Sequence, residues 1–263
     1  MIKILMIGDT YGEPGRRAVG KFVPEMKKSG QADFVVCNAE NAADGAGVTE
    51  KVARELFSYG CDVLTMGDHA FDKRKDIEDF LKNDVRLVRP ANFSKLLPGQ
   101  GSTVLEHRGT KIAVLHAAGQ VFMRYHFSSP FVALDEEIAK VTSRSVKVIV
   151  VDMHAEATSE KSAVSWYLDG RVSSVTGTHT HVQTADERVT EKGTACLTDL
   201  GMTGPYDSVI GAQKEAIIQR FITQVGGKKE VAQNDIRFSG ALITIDEATG
   251  KAVKIERVHQ KLA

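Results

Sequence analysis

Between residues 2 and 82 short, β-branched apolar runs alternate with helical stretches, and this rhythm limits the fold more than any other feature of the chain. The runs are Ile2–Ile7, Phe34–Cys37 and Val63–Met66; the helices fall around Pro14–Lys28, Glu50–Tyr59 and Lys73–Lys82. Such βαβ repetition builds a parallel sheet covered on both faces. The middle of the chain differs. Ser102–His107 and Lys111–His116, separated by Arg108-Gly109-Thr110, read as a hairpin, and a helix around Phe131–Val141 leads into the apolar Val146–Val151. A helical stretch over Ala157–Leu168 precedes the strand-like Val172–Val175 and Ala195–Thr198. A second hairpin pairs Ile236–Ile245 with Ala252–Val258 around Glu247-Ala248-Thr249-Gly250, where the glycine suits a tight turn. Two hairpins added to parallel units predict an α/β fold with two mixed sheets face to face and helices outside. A chain of 263 residues can bury one large core, and no repeat or linker divides it, so a single domain over residues 1–263 is expected.

Charge restricts the partners. Lys and Arg total 34, as do Asp and Glu, so no global field draws the chain to nucleic acid or to an anionic membrane. The sequence therefore gives no support for DNA binding. Cys37, Cys61 and Cys196 form an odd set without CxxC spacing, each in or beside an apolar run, which is the pattern of reduced, buried thiols. The start MIKILMIGD lacks a basic region and a small-residue cleavage site, and no stretch approaches the ~18 apolar residues of a membrane span. A soluble, cytoplasmic protein is expected.

The chemistry collects where apolar runs end. ILMIG ends in Asp9, FVVCNA in Glu40-Asn41, VLTMG in Asp68-His69, VIVVDM in His154, and VSSVTGT in His179-Thr180-His181. Ligands of open α/β sheets bind at the carboxyl ends of strands, so residues distant in sequence converge there. Carboxylates and an amide oxygen are hard ligands, and imidazoles suit zinc, iron, manganese, nickel or copper. Seven such residues exceed what one ion takes. With one carboxylate bridging, two ions ~3.5–4 Å apart are the economical arrangement, and such a pair clamps the attacking and leaving oxygens of a phosphoryl displacement.

Taken singly, each residue also has an ordinary role. Asp9 suits a helix cap or an Asx-turn, Glu40-Asn41 a solvated loop, and Asp68-His69 a further cap beside a surface histidine. His154 suits a core histidine satisfied by a backbone carbonyl. His179-x-His181 is the strongest fragment, because alternate residues of an extended segment face opposite ways unless the chain turns. Other motifs fall away on spacing. Gly8, Gly12 and Gly15 do not form GxGxxG, and neither GxxxxGK[ST] nor the nucleophile elbow GxSxG occurs. His107, His116, His126 and His259 lack the strand-end setting, and Thr158-Ser159-Glu160-Lys161 resembles a helix start whose hydroxyls act as caps.

With GD before a glycine-rich loop, NAEN, GDH, VDMHAEATSEK, GTHTHVQTADER and TDLGMTGPYDSVIG, the chain resembles the YmdB-like branch of the calcineurin-like metallophosphoesterases, bacterial 2′,3′-cyclic-nucleotide phosphodiesterases. The resemblance runs from Ile4 to about Gly211. It implies a four-layer α/β/β/α sandwich of two mixed sheets. It also implies one ion held by Asp9, Glu40, Asn41 and His181, and a second by Glu40, Asp68, His154 and His179. His69 would be the general acid. Tyr11 stands where the wider superfamily has a histidine, and Asn41 would fill that place. Asp68 stands where the branch has asparagine; the extra charge suits a more highly charged pair, such as one containing ferric iron.

The expected reaction is in-line attack on phosphorus by a hydroxide bridging the ions, with His69 protonating the departing ribose oxygen; an unperturbed histidine pKa of about 6.5 suits that transfer. Substrates would be small cyclic nucleotides or RNA-end phosphodiesters. Iron is the expected metal, with manganese or zinc acceptable to the same ligands. Competing readings are a phosphomonoesterase or protein phosphatase on the same ions, and a metal-binding regulatory scaffold with little turnover. The family resemblance also implies a homo-oligomer.

Overall fold

The structure, a computed structural model, describes residues 1–227 and 229–262. In chain order its elements are β1 (Ile2–Ile7), β2 (Asp9–Thr10), α1 (Gly12–Lys28), β3 (Phe34–Asn38), α2 (Glu50–Ser58), β4 (Val63–Thr65), α3 (Arg74–Asn83), β5 (Leu87–Val88), β6 (Ser102–His107) and β7 (Thr110–Ala118). There follow α4 (Pro130–Thr142), β8 (Val148–His154), α5 (Thr158–Tyr167), β9 (Ser174–Thr178), β10 (Arg188–Val189), β11 (Ala195–Leu197), β12 (Met202–Pro205), α6 (Lys214–Thr223), β13 (Ile236–Ile245) and β14 (Ala252–Lys261).

The strands form two mixed sheets. Sheet I has the order β2-β12-β13-β1-β3-β4-β5, with β14 also paired to β13; sheet II has the order β10-β11-β9-β8-β7-β6. Parallel pairing joins β1, β3, β4 and β5 in one sheet and β7, β8, β9 and β11 in the other.

Side-chain alternation sorts each strand between two cores. Ile2, Ile4 and Met6 of β1 enter the layer between the sheets, while Leu5 and Ile7 face α1–α3. Phe34 and Val36 of β3 divide from Val35 and Cys37 in the same way. On sheet II, Val148 and Val150 of β8 join the middle layer, and Ile149, Val151 and Met153 pack against α4 and α5. Each fully buried aliphatic side chain contributes about 1.5–3 kcal/mol, and runs buried on both faces must be apolar throughout. The result is the expected α/β/β/α sandwich.

Boundaries shift by a few residues, and some elements are new. The first hairpin turns on only Arg108 and Gly109, both at positive φ (49° and 84°), because His107 pairs directly with Thr110; this is the type I′ geometry that matches strand twist. Strands β8 and β9 run further than their apolar runs and continue to the site, ending at His154 and Thr178. Helix α6 and the short strands β2, β5, β10 and β12 were not expected. Only Ile217 of α6 is buried, so no apolar face marks it in the sequence. Among the described residues no helix is long and apolar enough to cross a membrane.

Candidate metal centre

Strand β2, which follows β1, and the ends of β3, β4, β8 and β9 deliver all seven expected residues to one place. Glu40, Asp68, His154 and His179 offer ligand atoms that lie within 4.8 Å of one another. At their centre His154 Nε2 is 3.1 Å from Asp68 Oδ1, 3.2 Å from Glu40 Oε1 and 2.9 Å from His179 Nδ1. Beside this group His181 Nε2 lies 3.3 Å from Asn41 Nδ2 and 3.9 Å from Asp9 Oδ1, and Asn41 Nδ2 donates to Glu40 Oε1 at 3.0 Å. Glu40 thus belongs to both groups. Asn41 presents its amide nitrogen here, so ligating through oxygen requires the amide to turn over.

The ordinary roles considered for these residues are filled by others. Helix α1 begins after Tyr11 and α3 after Lys73, so neither Asp9 nor Asp68 caps a helix. The core histidine held by a carbonyl is His116, whose Nδ1 lies 2.9 Å from Asp152 O. Tyr11 is packing: its ring meets His181 edge-on at 5.5 Å, and a Cβ at Gly45 or Gly211 would approach it within 2.7 Å and 2.6 Å.

Each imidazole has its second nitrogen engaged, which fixes ring orientation. His154 Nδ1 pairs with Thr178 Oγ1 at 2.9 Å, and that hydroxyl donates to Asp152 Oδ1 at 2.7 Å. His181 Nδ1 donates to Ile210 O at 2.9 Å. His179 Nε2 lies 3.3 Å from Glu156 Oε2. The chain turns between the two histidines: φ is 107° at His179 and 65° at His181, conformations rarely taken by residues with a side chain. Asp199 Oδ2 holds that turn by accepting from Thr180 N (3.2 Å) and Oγ1 (2.8 Å), and the buried Lys161 pairs with the same oxygen at 2.5 Å. Gly67 completes the packing, since a Cβ there would stand 2.2 Å from Glu40 Oε2 and 2.3 Å from His154 Nε2.

His69 sits at the rim. Its backbone N–H donates to Glu40 Oε2 at 3.2 Å and its Nδ1 lies 2.7 Å from Asp72 Oδ2, leaving Nε2 without a partner among the described residues. Arg124 Nη1 donates to both Asp72 oxygens at 2.9 and 3.1 Å. Sequence reasoning gave no role to Glu156, Lys161, Asp199, Asp72 or Arg124. Glu156, Lys161 and Asp199 stand inside the HAEATSEK and TDLG motifs and Asp72 and Arg124 outside them, and in neither case does spacing name a contact.

The donor set fits a cation pair on its own chemistry. Asp9, Glu40 and Asp68 are buried, and among the described residues none of them pairs with Lys or Arg. Burial raises the Asp9 pKa to about 7, with the Glu40 and Asp199 charges adding to the effect against His154. Its Oδ1 is buried and has no hydrogen-bond partner among the described residues, while Oδ2 accepts from His179 N at 3.0 Å. Burial opposes ionisation of Glu40 too, but the charge and hydrogen bond of His154 bring it down to about 2. His154 is pushed down by burial, yet attraction to Glu40 and hydrogen bonds to Asp68 and Glu40 raise it well above the usual histidine range. The His154 imidazolium is thus the main counter-charge to Glu40 and Asp68, with Asp9 partly protonated near neutral pH, and carboxylate oxygens with imidazole nitrogens suit transition-metal ions.

The family described as "YmdB-like protein" matches residues 5–258. The 2′,3′-cyclic-nucleotide 2′-phosphodiesterase of Bacillus subtilis (strain 168) is 48% identical over 257 residues, covering 98% of this chain and 96% of that protein. A crystal structure titled as a novel phosphatase of Mycoplasma pneumoniae shares 37% identity with a TM-score of 0.92, covering 99% of this chain and 93% of that one. A 5′-nucleotidase precursor from Thermus thermophilus shares the fold alone, at 12% identity and a TM-score of 0.59, over 99% of this chain and 54% of that one. Two sheets between helices, with a carboxylate and imidazole cluster at the strand ends, define a metal-dependent phosphoesterase. Within that class the chain belongs to the YmdB-like protein family.

Proposed function

We propose that this chain hydrolyses 2′,3′-cyclic nucleotides at a pair of metal ions, breaking the bond between phosphorus and O2′ and leaving a 3′-phosphate. The observation that carries the reading is the convergence of all seven ligand-type residues in a chain that aligns from end to end with the Bacillus subtilis enzyme. Asp9, Glu40, Asn41 and His181 would hold one ion, and Glu40, Asp68, His154 and His179 the other. When bound, such a pair lowers the pKa of a coordinated water and neutralises charge on the phosphoryl oxygens. Iron is the metal proposed, with manganese or zinc able to use the same ligands.

The residues of the chain supply the rest. Thr178, Ile210 and Glu156 hold the three imidazoles in fixed orientation. Asp72 holds His69 by Nδ1, so that its Nε2 donates the proton to O2′ as water adds to phosphorus. The whole chain acts as one catalytic domain. Its three cysteines are free and buried, which suits the reducing cytoplasm.

Metal analysis together with hydrolysis of 2′,3′-cyclic AMP, 3′,5′-cyclic AMP and a phosphomonoester tests the reading. About two ions per chain and preference for the 2′,3′ diester are expected; monoester preference, or no turnover after reconstitution with iron or manganese, overturns it. His69→Ala is expected to lower kcat by about 10²–10⁴-fold with metal content unchanged, an outcome that a non-catalytic scaffold would not give.

A further inference from the structure

We propose that Phe122 is the stacking platform for the nucleobase of the substrate, a specificity residue for the leaving-group side of the site. The inference rests on the cyclic-nucleotide reading and adds to it the residue that recognises the base. The segment from Gly119 to Arg124 forms a bracket with both feet on the site. At one foot Gly119 N donates to His154 O at 2.9 Å, and Glu160 accepts from Gln120 N at 2.9 and 3.1 Å and from Val121 N at 3.3 Å. At the other, Arg124 is bonded to Asp72, which also holds His69.

Phe122 stands between these feet, 87% exposed. Its φ of 61° is rare for an aromatic residue, and hydrogen-bonded residues, Val121 and Arg124, flank it. Tyr125 of the same loop packs against Phe93 and Phe127, whereas no aromatic contact engages the Phe122 ring among the described residues. Chemistry places the base on this side. In a 2′,3′-cyclic nucleotide the base is carried on C1′, the carbon next to the one bearing O2′. The base projects from the ring face opposite the phosphate, but O2′ is the ester oxygen on the C1′ side of the sugar, so a proton delivered to O2′ by His69 comes from the side of the ribose that carries the base, and the bracket is joined to His69 through Asp72. An exposed ring there excludes water from one face of a base without selecting its edge, so purines, with their larger faces, should bind better than pyrimidines.

The test compares kcat/KM for 2′,3′-cyclic AMP with that for glycerol 1,2-cyclic phosphate, a five-membered diester without a base, in the wild type, Phe122→Ala and Phe122→Trp. Stacking on an aromatic side chain predicts that the ratio falls about tenfold in Phe122→Ala and is kept or raised in Phe122→Trp. Calorimetric binding of 3′-AMP should weaken by a similar factor in Phe122→Ala, and the preference for purine over pyrimidine substrates should shrink. A ratio that stays within about twofold of the wild type, or a loss shared equally by both diesters, overturns the proposal. Wild-type protein that hydrolyses neither diester removes the functional reading beneath it, and is thereby distinguished from failure of the stacking role alone.

Discussion

Asp68 places a third carboxylate where the family resemblance implies an amide, and its contacts show what the additional charge does. Its Oδ1 lies 3.1 Å from His154 Nε2 and 3.5 Å from His179 Nδ1. Burial opposes its ionisation, but hydrogen bonds from both histidines keep its pKa well below the ordinary carboxylate range. Asp68→Asn should therefore weaken metal binding by at least about tenfold, the lower end of what even outer contacts to a metal site cost; chelator competition measures it, and unchanged occupancy and kinetics would remove the idea of charge tuning. Glu156 acts one contact further out, through His179 Nε2. Glu156→Gln should lower metal affinity by roughly 10- to 100-fold with little loss of thermal stability, since the carboxylate is itself half exposed. The seven ligand-type residues were legible because each lies at or just beyond the end of an apolar run. Glu156, Asp72 and Arg124 were not, because a charged residue in a loop reads as solvated until its partner is known.

One short segment organises much of the site. Thr158 and Ser159 were expected to cap α5, yet its cap position is Ala157, with no side-chain cap bond. The charged residues around that first turn reach outward instead: Glu156 to His179, Glu160 to the Gln120 and Val121 amides, and Lys161 to Asp199 beneath the Thr180 turn. The last contact is fully buried, so Lys161→Met leaves an unpaired carboxylate and should cost about 3–5 kcal/mol, read by denaturant unfolding. Removing both charges together should cost less, and equal costs for the single and double replacements would show that the pair is not the source. Strands such as β1 and β8 were legible as continuous β-branched apolar runs, and helices α1 to α3 as the helical stretches that alternate with such runs. Helix α6 was not, since it buries only Ile217, and the two-residue strands β2 and β5, though buried, are too short to leave a pattern.

At the scale of the molecule, the site is divided between the sheets by chemistry. Sheet I brings the oxygen ligands and Asn41, from residues 9 to 68, and sheet II brings every imidazole of the seven, from residues 154 to 181. Ions bound between them would tie the two halves together, and a ligand present at a hundred times its dissociation constant adds about 2.7 kcal/mol to stability. Chelation should accordingly lower the unfolding temperature, and more so in wild-type protein than in His154→Ala.

The same topology sets an order of assembly during synthesis. Sheet II is drawn wholly from residues 102–197, so a ribosome can release it as a contiguous folding unit. Sheet I is not contiguous: β13, residues 236–245, lies between β1 and β14 and pairs with β1 from Ile2↔Ile245 to Ile7↔Gly240. The oxygen ligands thus emerge first but rest on a strand whose central neighbour is made only near the end of the chain. A nascent chain holding all seven ligands still lacks β13, which pairs with β1 and accepts from Gly8 N just ahead of Asp9, so the oxygen ligands should reach their final positions only as β13 docks.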